Sequence, residues 1–76
     1  MGNVTFEIVE HLGIISEDKN GWQKEVNIVA WNGGAPKIDI RSWDEEHECM
    51  SRGITLTMDE ADNLAIILSE WIEANE

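Results

Sequence analysis

The spacing of apolar residues changes once along this chain, at Thr57, and that change restricts it to one kind of fold. Before Thr57, apolar residues recur at every second position in separate runs. After it, they recur three and four positions apart. A period of two sends alternate side chains to opposite faces of a strand, and a period near 3.6 gathers them on one face of a helix. Strands in a block followed by one helix make an α+β domain rather than the strand-helix alternation of a parallel sheet.

Residues 4–16 carry Val4, Phe6, Ile8, Leu12 and Ile14 in near alternation, a half-buried strand with a bend or bulge expected at Gly13. Asn20-Gly21 and Asn32-Gly33-Gly34 are turn sequences on either side of a second strand at 22–31. The third strand, 37–43, alternates cleanly: Ile38 and Ile40 face one way, and Lys37, Asp39, Arg41 and Trp43 the other. A polar loop leads to a short fourth strand at 53–57. Short connections make these strands antiparallel neighbours in a four-stranded meander. Thr57 with Glu60 three positions on forms a capping box that opens a helix over 58–74. Ala61, Leu64, Ala65, Leu68, Trp71 and Ile72 share one helical face, which Met58 and Ile67 widen. So wide a stripe suits a helix set against its own sheet and a partner chain, with Leu64, Leu68, Trp71 and Ile72 as core or dimer contacts. The other sheet face is left open.

A 76-residue chain is one domain, 1–76. So small a core is marginal alone, and the single cysteine, Cys49, rules out an internal disulfide. Small domains without such staples gain stability by self-association, so a homodimer is expected. No apolar run approaches a membrane span, and no secretory signal opens the chain, so a cytoplasmic, membrane-free protein is expected.

The net charge of −11 argues against a phosphate-binding surface if charge is uniform. It is not uniform. All five basic residues, Lys19, Lys24, Lys37, Arg41 and Arg52, lie within 19–52, and ten of the sixteen acidic ones lie outside that stretch. Lys37, Arg41 and Trp43 share one side of the third strand, with Trp31 just before the preceding turn and Lys24 on the adjoining strand. Cations between flat aromatic rings suit single-stranded nucleic acid: cations neutralise phosphates and rings stack on unpaired bases. Lys24 and Trp31 differ in parity, so they share a face only if a bulge intervenes in the second strand. The bland alternatives are aromatic residues in the core, Trp22 and Trp71 above all, and a solvated charge ladder along Lys37, Asp39 and Arg41.

Gly21-Trp22-Gln23-Lys24-Glu25, Trp31-Asn32, Pro36-Lys37-Ile38-Asp39-Ile40-Arg41-Ser42-Trp43 and Gly53-Ile54-Thr55-Leu56-Thr57 together resemble the bacterial YdbC-like branch of the transcriptional coactivator positive cofactor 4 family. The resemblance covers residues 5–73. It implies a curved four-stranded antiparallel sheet and a C-terminal helix, paired as a dimer that binds single-stranded DNA. By position it implies that Lys24, Trp31, Lys37, Arg41, Trp43 and Arg52 form the nucleic-acid surface, with single-stranded DNA or RNA as ligand and transcription or replication proteins as partners. The chain departs from the eukaryotic form in its loop before Gly53. Asp44-Glu45-Glu46-His47-Glu48-Cys49 is acidic where that form is basic, which implies weaker binding.

The competing class is a dimeric protein-interaction module with weak or lost nucleic-acid binding, which the acidic net charge favours. An enzyme is not expected. Glu46-His47-Glu48-Cys49 lacks metal-site spacing and reads as a solvated loop, so no metal and no cofactor is expected. His11 reads as a surface or satisfied histidine.

Overall fold

The computed structural model describes residues 4–76, so residues 1–3 of the expected 1–76 domain lie outside it. The elements are β1 (Phe6–Glu17), β2 (Gln23–Trp31), β3 (Lys37–Trp43), β4 (Ile54–Leu56) and α1 (Met58–Asn75). The strands form one antiparallel sheet in the order β1-β2-β3-β4. The α+β meander and its terminal helix therefore follow the apolar periods closely. No helix of the described residues is long and apolar enough to cross a membrane.

The turn sequences act as their chemistry requires. Gly21 (φ 86°) and Gly33 (φ 74°) take left-handed backbone, and Asn32 (φ 52°) joins Gly33 in the β2–β3 turn. Asp18 Oδ1 accepts from the amides of Asn20 (2.9 Å) and Trp22 (3.1 Å), which closes the β1–β2 turn.

The bulges lie in β1, not β2. β1 spends twelve residues against the nine of β2. The register slips after Ile8, His11 and Ile14, leaving Val9, Leu12 and Ile15 without partners. Each extra residue bends its strand and increases the local twist. β2 itself runs in unbroken register with β3, from Gln23↔Trp43 to Val29↔Lys37. Lys24 and Trp31 therefore face opposite sides of the sheet.

The bent sheet rolls onto one face, here the inner face. Phe6 pairs with Trp31 at one end of β2, and Trp43 pairs with Gln23 at the other. The eight steps from Gln23 to Trp31 span roughly 26 Å when straight. Yet the Phe6 ring centre lies 5.0 Å from that of Trp43 and 5.9 Å from that of Trp31. The core sits there. Glu25, Asn27, Val29, Asp39 and Trp43 are all buried and all belong to the inner face.

The helix departs from expectation. It does not lie across the sheet; it meets only β3 and β4, and none of its residues is buried. Thr57 alone joins β4 to α1. Its hydroxyl accepts from the Glu60 amide (3.2 Å), and the Glu60 carboxylate accepts from the Thr57 amide (2.8 Å), so the capping box forms as expected. This one-residue joint fixes the helix direction at the corner of the sheet, and an axis of about 27 Å leads away from it. Ala61 and Leu64 are half-buried, while Leu68, Trp71 and Ile72 stand 49, 65 and 47% exposed.

Candidate nucleic-acid interface

Strand parity brings Trp31, Lys37 and Arg41 to the inner face, as the alternation of β3 predicts. Arg41 is the best-fixed member. Its Nε donates to Asp39 Oδ1 (2.7 Å) and its Nη2 to Asp39 Oδ2 (2.8 Å), a two-point grip on a fully buried carboxylate. Thr55 Oγ1 donates to Asp39 Oδ2 (3.1 Å), tying β4 into the pair. The guanidinium carbon lies 4.5 Å from the Trp31 ring centre, within cation–π range. Arg41 Nη1 also points at the Ser51 carbonyl oxygen (3.5 Å). These contacts occupy most of its donors, so Arg41 positions Trp31 more than it offers a free cation.

The free cations are elsewhere. Lys37 is exposed on the inner face, and Arg52 is exposed in the loop that passes Arg41. Neither is ion-paired among the described residues. Lys24 is exposed on the outer face beside Ser42, away from Trp31.

Trp43 shares the expected side of β3, but that side is not open. The residue is fully buried, its ring packed on Phe6 and 5.6 Å from the His47 ring centre. The rolled sheet has enclosed it, so this ring supports the surface from below rather than meeting a base. Trp31 is half-buried at the edge of the same aromatic cluster.

A second polar cluster shares the inner face. Glu25 and Asn27 are 2 and 0% exposed. Asn27 Nδ2 donates to Glu25 Oε1 (3.0 Å), and His11 Nδ1 lies 2.7 Å from Asn27 Oδ1 and so donates to it. His47 Nε2 is 3.0 Å from each Glu25 oxygen, which makes it the donor to both. His47 holds this place with φ 58°, left-handed backbone that a non-glycine residue adopts at a cost. The loop at 44–49 is thus not wholly solvated: Asp44 Oδ1 accepts from the amides of Glu48 (2.8 Å) and Cys49 (3.0 Å) and turns His47 inward. His11, Glu25, Asn27 and His47 line a cavity of about 270 Å³ together with Ile8, Ile14 and Gln23. Among the described residues, no three His, Cys, Asp or Glu side chains are grouped to hold a metal ion. The sequence held one signal of this cluster: Gln23, Glu25 and Asn27 have the parity of Trp31.

Comparison with known proteins bears on the same stretch of chain. The family model described as Transcriptional Coactivator p15 (PC4) matches residues 19–67. A protein of Treponema pallidum (strain Nichols), described there only as an uncharacterized protein, is 38% identical over 52 residues, 68% of this chain and 61% of that protein. The match thus spans less than two thirds of that relative. The family match takes in β2, β3, β4, the capping box and the first half of α1, and with them the Arg41–Trp31 contact. By that match, the chain belongs to the transcriptional coactivator p15 (PC4) family.

Proposed function

We propose that this protein binds single-stranded DNA with little regard to sequence, as a homodimer, in transcription regulation or DNA maintenance within the cytoplasm. One observation carries the reading. Trp31 is held at the edge of the inner face by its contacts with Arg41 and Phe6, with Lys37, unpaired among the described residues, on the same face. A fixed ring beside a free ammonium can stack a base and neutralise its phosphate. Arg52 extends the cationic edge. Lys24, on the outer face, would meet a strand that wraps the sheet edge. Trp43 acts as the floor of the site. The same chemistry admits single-stranded RNA.

The dimer reading rests on uncovered apolar surface. Leu68, Trp71 and Ile72 stay about half or more exposed among the described residues. The outer face carries a cavity of about 410 Å³ between Ile28, Pro36, Ile38, Leu56 and Met58. A second copy would bury both, with Leu64 at the junction.

The test is titration of a fluorescent oligo-dT of about 20 nucleotides, at low and moderate salt, beside a duplex of equal length. Tight single-strand binding, weakened by Trp31→Ala and by salt at about −0.7 per phosphate contact on a log-log plot, is the expected result. No single-strand binding at low salt would favour the other reading, a dimeric interaction module for transcription or replication proteins. The −11 charge and the neutralisation of Arg41 by Asp39 support that second reading.

A further inference from the structure

Glu25 is a buried carboxylate without a lysine or arginine partner among the described residues. Burying a charge is costly unless it is paired and hydrogen-bonded. Glu25 lines the cavity of about 270 Å³ on the inner face, together with Ile8 and Ile14. The space is below the range usual for drug-sized ligands, so it suits one planar base and no more. A carboxylate floor repels phosphate and favours a neutral group that presents N–H donors. His47 Nε2, equidistant from both oxygens at 3.0 Å, occupies the mouth of the carboxylate fork. That is the place two adjacent N–H donors would take. The Gln23 amide lines the same cavity and makes no side-chain hydrogen bond among the described residues.

We propose that this pocket reads a guanine of the bound strand, its N1–H and N2–H donors replacing His47 on Glu25 and its O6 accepting from the Gln23 amide. Guanine is the one standard base with two adjacent donors on its Watson–Crick edge; adenine and cytosine offer one amino group there, and thymine one ring N–H between two carbonyls. Ile8 and Ile14 cover the ring. His47 is a removable stopper: its side chain is 38% exposed, and its left-handed backbone can relax once it leaves. The inference rests on the single-strand reading above and adds a base preference to it.

The experiment compares the wild-type protein on oligo-dT of about 20 nucleotides and on the same strand with one central guanine. Guanine is expected to tighten binding about fivefold, the low end for a two-bond base contact, because only registers that seat the guanine gain. Inosine, which lacks the 2-amino group, is expected to give less. Glu25→Gln should bring the guanine-to-thymine ratio close to one, with circular dichroism confirming the fold. His47→Ala, which empties the fork, should raise the ratio. Equal wild-type affinity for both strands overturns the pocket and leaves the groove reading intact. A ratio of one in His47→Ala assigns the contact to His47 and overturns the role given to Glu25. Loss of binding to both strands overturns the groove reading and the pocket together.

Discussion

Arg41 lies with its guanidinium carbon 4.5 Å from the Trp31 ring centre, joining the second and third strands across the inner face. The contact orients the ring and masks the charge at once, because Asp39 already grips the same guanidinium. Trp31→Phe should therefore keep much of the single-strand affinity that Trp31→Ala loses, about 1–3 kcal/mol for one stacked base. Fluorescence anisotropy on oligo-dT measures it. Equal losses from both variants would show that the indole itself, not a flat ring, is needed.

Removing Asp39 tests what holds Arg41. Asp39 is fully buried and the Arg41 side chain is 14% exposed. Asp39→Ala strands a largely buried guanidinium and leaves Thr55 without its acceptor. A cost of about 3 kcal/mol in urea unfolding is expected, as for other buried pairs broken on one side. A cost below about 1 kcal/mol would mean that water replaces the carboxylate freely.

Gly53 is a packing requirement. A Cβ there would stand 2.4 Å from Arg41 Cβ and 2.4 Å from the Ile40 carbonyl oxygen. Neither is the free end of a side chain, so β4 must move. Gly53→Ala is expected to lower stability by about 1–3 kcal/mol, the range for overpacked sites, and to lower the melting temperature accordingly.

The capping box should show in helix content. Thr57→Ala removes the acceptor of the Glu60 amide. A loss of about 1 kcal/mol is typical of such caps, with a weaker 222 nm signal as the first turn frays. An unchanged signal would mean that contacts beyond the chain hold the helix.

The exposed helix stripe predicts its own test. Leu68→Glu together with Trp71→Glu should halve the mass seen by light scattering, because both residues stand open on α1. A wild-type protein that is already monomeric would remove the dimer from the proposal.

The acidic loop should act by repulsion. Glu45, Glu46 and Glu48 are exposed. Changing all three to glutamine should raise duplex affinity at low salt, where screening is weak. Unchanged duplex affinity would sink that account of the loop.

The elements and their order are written in local stretches of the chain. Alternation along Lys37 to Trp43, glycine and asparagine at the turns, and the Thr57–Glu60 box are local signals, and each acts within a few residues of itself. Local signals survive folding because the same short-range sterics and hydrogen bonds operate in the unfolded chain. What each face meets depends on long-range packing. Val9, Leu12 and Ile15 look like ordinary members of an apolar strand, yet they drop out of register and help roll the sheet. That roll encloses Trp43, whose parity alone suggests an open surface. It also turns Glu25, Asn27 and His47, residues 20 and more apart in part, into one cluster. The direction of α1 follows from a single-residue joint at a sheet corner, which no helical stripe encodes. Burial depends on how distant strands close on one another, and period-two alternation fixes only which side a residue takes, not whether that side stays open.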